Sequence, residues 1–279
     1  MTRERLVPIL RVAGFLPAVA ILGVIAVRAA RDVKPHDLLE WPVAFALVAT
    51  VGWWLLLARG WSLLMSGRST RADVGTWCRT QALRYLPGGI WAPVSRVAVV
   101  PGRLLGRISL VVAENAASLC AALAVGGVAL AMSGRPLWLP AVLVVAAPAV
   151  AARLFQDALS LQPHRVDAAT INYVISFALY ALAAALVQGA VSGFHESLLV
   201  AGAAAVAWGA GLVVVVAPSG VGVREVVYVA LASAAAPSGK LAAGAVTFRV
   251  LTIVAEIAVL TAAGRPVRPA VGSGEPRGA

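Results

Sequence analysis

Three sets of polar residues interrupt otherwise apolar stretches of the chain. Glu114 and Ser118 stand four apart in the run 108–132, with Asn115 beside them. Asn172, Ser176, Tyr180 and Gln188 fall on a four-residue step in the run 171–191, and Arg249, Thr252 and Glu256 are spaced by three and four in the run 241–263. Such spacings put each set on one face of a helix. A charge at the centre of a bilayer costs about 2.5 kcal/mol or more on insertion scales, so these faces are expected to point into a bundle. Glu114 with Arg249, and Glu256 with Arg224, are candidate interhelical pairs. The stripe of Asn172, Ser176 and Tyr180 reads first as packing glue, because polar contacts between helices are common in bundles.

Two further segments have the chemistry of an anion site. The first, Arg84-Tyr85-Leu86-Pro87-Gly88-Gly89-Ile90-Trp91, is an apolar turn broken by Pro-Gly-Gly and bracketed by Arg84 and Arg96. The second, Ala217-Pro218-Ser219-Gly220-Val221-Gly222-Val223-Arg224-Glu225, ends one apolar run and starts another. A broken helix presents free backbone N–H groups and the positive end of its dipole, which suits a phosphate. Arginine adds bidentate phosphate recognition. Interrupted segments in each half of a membrane protein point to a binding site near the midplane. The competing reading is that the glycines only permit close packing and the arginines snorkel to the interface. The candidate substrate-binding residues are therefore Arg84, Tyr85, Gly88, Arg96, Glu114, Pro218, Gly220, Gly222, Arg224, Glu225, Arg249 and Glu256.

The elements that must position these residues are set by composition. Of 279 residues, 61% are apolar and 13% charged, with a mean hydropathy of +0.89, which is outside the range of water-soluble domains. A hydrocarbon core of roughly 30 Å takes about 20 apolar residues per helix. The apolar runs are 12–27, 41–57, 108–132, 137–152, 171–191, 198–216, 221–236 and 241–263. They predict an all-α polytopic membrane protein, a bundle of seven or eight transmembrane helices with some broken or re-entrant, the short run 221–236 being the candidate for re-entry. Trp53, Trp54 and Trp61 sit where an interfacial aromatic belt is expected. The stretch 59–107 carries eight arginines and one acid, Asp73, which predicts a cytoplasmic loop and, with two spans before it, a cytoplasmic N-terminus. Eight crossings bring the C-terminus to the same side. Residues 1–263 are expected to form one transmembrane domain, and 264–279, rich in Gly, Pro and Arg, a disordered cytoplasmic tail.

The net charge of +11 arises from arginines that mostly flank apolar runs, an arrangement that speaks for topology and anionic lipid headgroups and against nucleic acid. Cys78 and Cys120 are far apart, and His36, His164 and His195 fall in three different connections. Neither set has metal-ligand or redox spacing. There is no phosphate-binding loop of the Walker type. No cofactor and no covalent catalyst are expected.

At the two glycine-broken segments, at Glu114 and at Phe248-Arg249, the chain resembles the lysylphosphatidylglycerol synthase transmembrane region family, which includes the flippase half of the bacterial multiple peptide resistance factor. The resemblance runs from the first span to Ala263 and is most specific at Pro218-Ser219-Gly220-Val221-Gly222-Val223-Arg224-Glu225. It implies a helical bundle in the cytoplasmic membrane that moves, or helps to move, a lipid with a charged or glycosylated headgroup between leaflets. It does not imply lysyl transfer, which in the resistance factor belongs to a separate soluble domain. The expected partners are membrane lipids, either an anionic phospholipid or a polyprenyl phosphate lipid. Two other classes stay open: an integral membrane enzyme of cell-envelope lipid synthesis recruiting Glu225 or Asp73, and an accessory protein that scaffolds a synthase or glycosyltransferase.

Overall fold

A computed structural model describes residues 41–85, 90–155, 161–214 and 218–263. The run 12–27, Gly88 and the tail 264–279 lie outside the described residues. Those described form nine α-helices and no strand. In chain order they are α1 (Trp41–Ser66), α2 (Arg71–Gln81), α3 (Trp91–Val99), α4 (Leu104–Met132), α5 (Ala147–Leu154), α6 (Pro163–Ser192), α7 (Ser197–Val213), α8 (Val223–Leu231) and α9 (Ser238–Ala263).

Four of these, α1, α4, α6 and α9, are long and apolar enough to cross a membrane. Each buries about half of its most apolar stretch and leaves the other half outward. The outward stripes are apolar too: Val250, Val254 and Ile257 on α9, and Ile171, Ile175 and Leu182 on α6, are exposed at helical spacing. Apolar side chains on both faces of a helix are what a bundle in hydrocarbon requires. All four helices extend beyond their apolar runs, because helix-compatible polar residues continue the turn where hydropathy falls.

The remaining expected spans differ from their sequence reading. The run 137–152 contains Pro140 and Pro148, and proline removes a backbone donor and clashes one turn back. It forms a 3₁₀ segment, Pro136–Ala146, followed by the eight-residue α5. The run 198–216 yields the 17-residue α7, about 25 Å at 1.5 Å per residue and so slightly short of a full hydrocarbon core. The run 221–236 yields the nine-residue α8, far too short to cross.

Packing follows side-chain size. α6 lies along α1, α4 against α6 and α7, and α9 against α1 and α6. α7 is buried on nearly every side, every residue from 199 to 209 being inside. It crosses α4 closely at two glycines: a Cβ on Gly202 would stand 2.9 Å from the Gly126 carbonyl oxygen. The stretch 59–107, expected as a loop, is mostly helical in its described residues, and α2 folds back onto α1 and α9. Its corner is pinned by Asp73, which accepts hydrogen bonds from Ser66 (2.8 Å) and Ser62 (3.2 Å), while Thr70 caps α2 by accepting from the Asp73 N–H. Trp53, Trp54 and Trp61 do not form an interfacial belt; all three are fully buried. They join a chain of rings through the middle of the bundle, Trp77–Trp54–Trp53–Tyr180–Phe248, with successive centroids 4.7 to 5.7 Å apart. Five buried indoles, Trp53, Trp54, Trp61, Trp77 and Trp208, supply the bulk of a core otherwise rich in alanine, and that volume demand overrides their usual interfacial preference.

Candidate functional site

The polar face of α4 meets α2 and α3 at Glu114. Its carboxylate accepts from Trp77 Nε1 at 2.7 Å and pairs with Arg96, the guanidinium of which also donates to Gln81 and, at 3.1 Å, to Thr80 Oγ1. Arg96 is only 3% exposed and Glu114 6%, so this is a buried ion pair whose remaining donors are satisfied. One turn beyond Gln81, Arg84 reaches across to Glu256 of α9 at 2.9 Å, with Glu256 1% exposed. The two pairings expected from sequence, Glu114 with Arg249 and Glu256 with Arg224, are thus replaced by Glu114–Arg96 and Glu256–Arg84. The reason is the fold-back of α2 and α3, which brings Arg84 and Arg96 inside.

With both of those acids engaged, Arg224 and Arg249 have no carboxylate partner among the described residues. Arg249, 6% exposed, donates from Nη2 to the Ser219 carbonyl at 3.1 Å. Arg224 lies over the Trp208 ring, 5.2 Å from its centroid, and its buried Nε makes no hydrogen bond. Glu225, next to it, does not neutralise it at contact range; its carboxylate accepts the Gly222 N–H at 2.7 Å, capping α8. That bond also removes one of the backbone donors that the broken segment was expected to offer a phosphate.

The Pro218–Gly220 turn is shaped around Arg224. Ser219 and Gly220 both have positive φ, 53° and 68°, which for serine is a strained conformation of order 1–2 kcal/mol. The turn presents the Ser219 carbonyl to Arg249 and leaves the Ser219 hydroxyl buried with no partner. Gly220 and Gly211 flank the Arg224 side chain so closely that a Cβ on either would fall within 2.8 Å of its Nε.

Two adjoining cavities meet here. The first has about 540 Å³ of empty space, with Trp53, Tyr180 and Phe248 on its wall and Arg84, Arg224, Arg249 and Glu225 as its charges. The second, about 800 Å³, holds Arg84, Arg96, Glu114 and Arg224 beside Asn115, Ser118 and Ser219. Arg84 and Arg224 border both. Three of the arginines rest on indole faces: Arg84 over Trp54 at 4.7 Å, Arg96 over Trp77 at 5.2 Å, and Arg224 over Trp208. A desolvated cation gains roughly 2 kcal/mol from such a face, and for Arg224 the indole holds the guanidinium in place without a salt bridge.

The structure therefore brings together Arg84, Arg96, Glu114, Gly220, Arg224, Glu225, Arg249 and, through Arg84, Glu256. Gly222 caps the start of α8, and the segments Ala82–Tyr85 and Pro218–Gly220, which end and begin with Tyr85 and Pro218, contact each other. Asn172 and Ser176 are glue, donating to the Leu56 and Trp53 carbonyls of α1 at 2.6 and 3.1 Å, whereas Tyr180 faces the first cavity. Asp73 belongs to the α1–α2 corner and lines neither cavity. Sequence reading missed Trp77, Gln81, Trp208 and Ser219. Trp77, Gln81 and Arg84 recur at four- and three-residue intervals, a signal that was present. Trp208, inside a uniformly apolar run, offered none. Compared with known proteins, the chain matches no family model and no curated protein sequence.

Proposed function

We propose that the protein is a lipid translocase that takes an anionic headgroup into the cleft between its helices. The observation that carries this reading is the pair Arg224 and Arg249, placed at a cavity inside the bundle with three arginines against one lining carboxylate, Glu225, and with neither of the two in a salt bridge among the described residues. An anion supplies what is missing, since an unpaired charge in a low-dielectric site is costly. The outward apolar stripes of α6 and α9 support a hydrocarbon surrounding for the bundle, and the aromatic wall of the cavity suits the apolar part of such a ligand.

In this reading the bundle sits in the cytoplasmic membrane as a multi-pass protein with α5, α7 and α8 as its broken or re-entrant members and, by an even number of crossings, both termini cytoplasmic. The resemblance to the lysylphosphatidylglycerol synthase transmembrane region family supports the same class of substrate, a phospholipid or a polyprenol-linked lipid. Arg84 and Arg96, held by Glu256 and Glu114, position the mouth of the cleft; Arg224 and Arg249 engage the headgroup.

Reconstitution tests this directly. Purified protein in liposomes should accelerate the loss of leaflet asymmetry of labelled phosphatidylglycerol or labelled polyprenyl phosphate, and Arg224→Ala and Arg249→Ala should abolish the acceleration while leaving the folded protein intact. Normal flux in both variants would remove the proposed site.

A further inference from the structure

Resting on that reading, the charges around the two cavities say which anion is taken. In the first cavity Arg84, Arg224 and Arg249 face Glu225, and Arg84 is paired to Glu256. Among the described residues this leaves a net charge of +1. In the second cavity Arg84, Arg96 and Arg224 face Glu114, with Glu256 again behind Arg84. The count is again +1, and it is +1 for the two cavities together, because Arg224 is shared and Glu225 offsets Arg249. Among the described residues no lysine, histidine or aspartate lines either.

We infer that the site selects a headgroup with a single net negative charge, a phosphodiester, against a phosphate monoester or diphosphate with two and against a headgroup of zero or positive net charge. The physical reason is the low dielectric of a cavity enclosed by helices and apolar rings. There a leftover charge of either sign keeps most of its desolvation cost. One phosphodiester brings the site to neutrality; a second negative charge leaves it as unbalanced as no ligand at all. Arg84 and Arg224 border both cavities and Arg84 is paired to Glu256, so the phosphate belongs beside Arg224, with the Ser219 hydroxyl as an added donor. Glu225 sets the count: it is the one acid at the cavities bonded to backbone instead of to an arginine.

The test is equilibrium binding to the full chain in nanodiscs of uncharged phosphatidylcholine, read from the fluorescence of the indoles against the arginines. The ligands are phosphatidylglycerol, phosphatidic acid, phosphatidylethanolamine and water-soluble glycerophosphoglycerol. The pH is 8, where a phosphate monoester with a second pKa of about 6 carries two charges. Phosphatidylglycerol should bind at least about tenfold more tightly than phosphatidic acid or phosphatidylethanolamine, which is about 1.4 kcal/mol. Glu225→Gln keeps an oxygen for the Gly222 N–H and raises the site to +2, so it should invert the order in favour of phosphatidic acid. Phosphatidic acid binding the unaltered protein as tightly as phosphatidylglycerol overturns the inference, whatever the variant does. Glycerophosphoglycerol binding as tightly as the lipid keeps the single-charge rule but makes the ligand a soluble ester. Selective binding without leaflet exchange in liposomes would end the translocase reading alone, and exchange of all three lipids at equal rates would end the charge rule alone.

Discussion

Gly211 and Arg224 are in direct contact across the α7–α8 junction: a Cβ on Gly211 would lie 2.5 Å from both Cγ and Nε of Arg224. The absence of a side chain at Gly211 is therefore what lets the guanidinium lie on Trp208, three residues earlier on the same helix. Gly220 closes the other side of the same slot.

Gly211→Ala is expected to expel Arg224 from that slot. Overpacking of this kind costs typically 1–3 kcal/mol, and here the loss should fall on anion binding as well as on stability. Gly209→Ala is the control, since its Cβ would meet the flexible end of Leu119 at 3.1 Å and Leu123 at an ordinary contact distance of 3.5 Å. Thermal unfolding together with a lipid titration of both variants checks this; equal binding by the two would show that the slot does not matter.

Arg84–Glu256 is a buried pair that ties α9 to the 3₁₀ segment Ala82–Tyr85, with side chains 13% and 1% exposed. Removing one partner of a buried pair costs about 3–5 kcal/mol because the other charge is stranded, whereas replacing both by apolar residues is often neutral. Glu256→Met alone should thus destabilise far more than Glu256→Met combined with Arg84→Met. The check is a double-mutant cycle in detergent, where a coupling energy near zero would show that the pair contributes nothing.

Cys78, on α2, is 1% exposed, and burial pushes its thiol up to about 11 against the opposing pull of Arg96 and Arg79. The thiolate is the reactive form, so labelling should be negligible at pH 7 in the folded protein and still slow at pH 9, where an ordinary thiol near 8.5 reacts freely. Maleimide labelling in a Cys120→Ala background, before and after unfolding, measures it. Rapid reaction of the folded protein at pH 7 would mean that the packing of α2 on α1 and α9 opens.

Hydropathy alone located α1, α4, α6 and α9, because a continuous apolar stretch of bilayer length has few other uses. It overcounted where proline cuts the run, as at Pro140, and where apolar character reflects burial within protein, as in α7. The arginines of the site were legible as costly residues near apolar runs. Their partners were not, since α2 looks polar in sequence and only its fold-back on α1 brings Arg84 to Glu256 and Arg96 to Glu114. The tryptophans were misread for a related reason: residue type gives an interfacial preference, and only packing shows that Trp53 and Trp54 are needed as core volume.

The crossing of α7 on α4 at Gly202 and Gly126 reaches the site through the helix itself. A Cβ on Gly202 would meet the Gly126 carbonyl oxygen and the Leu130 backbone N at 2.9 Å each, and neither backbone atom can rotate away. Gly202→Ala should therefore push α7 off α4. Because Trp208 and Gly211 lie on the same helix, six and nine residues further on, the shift should carry the Arg224 slot with it. The expected outcome is a fall of roughly 1–3 kcal/mol in stability together with a loss of lipid affinity, although residue 202 lines neither cavity. Stability lowered with affinity unchanged would show that α7 yields locally at the crossing and leaves Arg224 in its place.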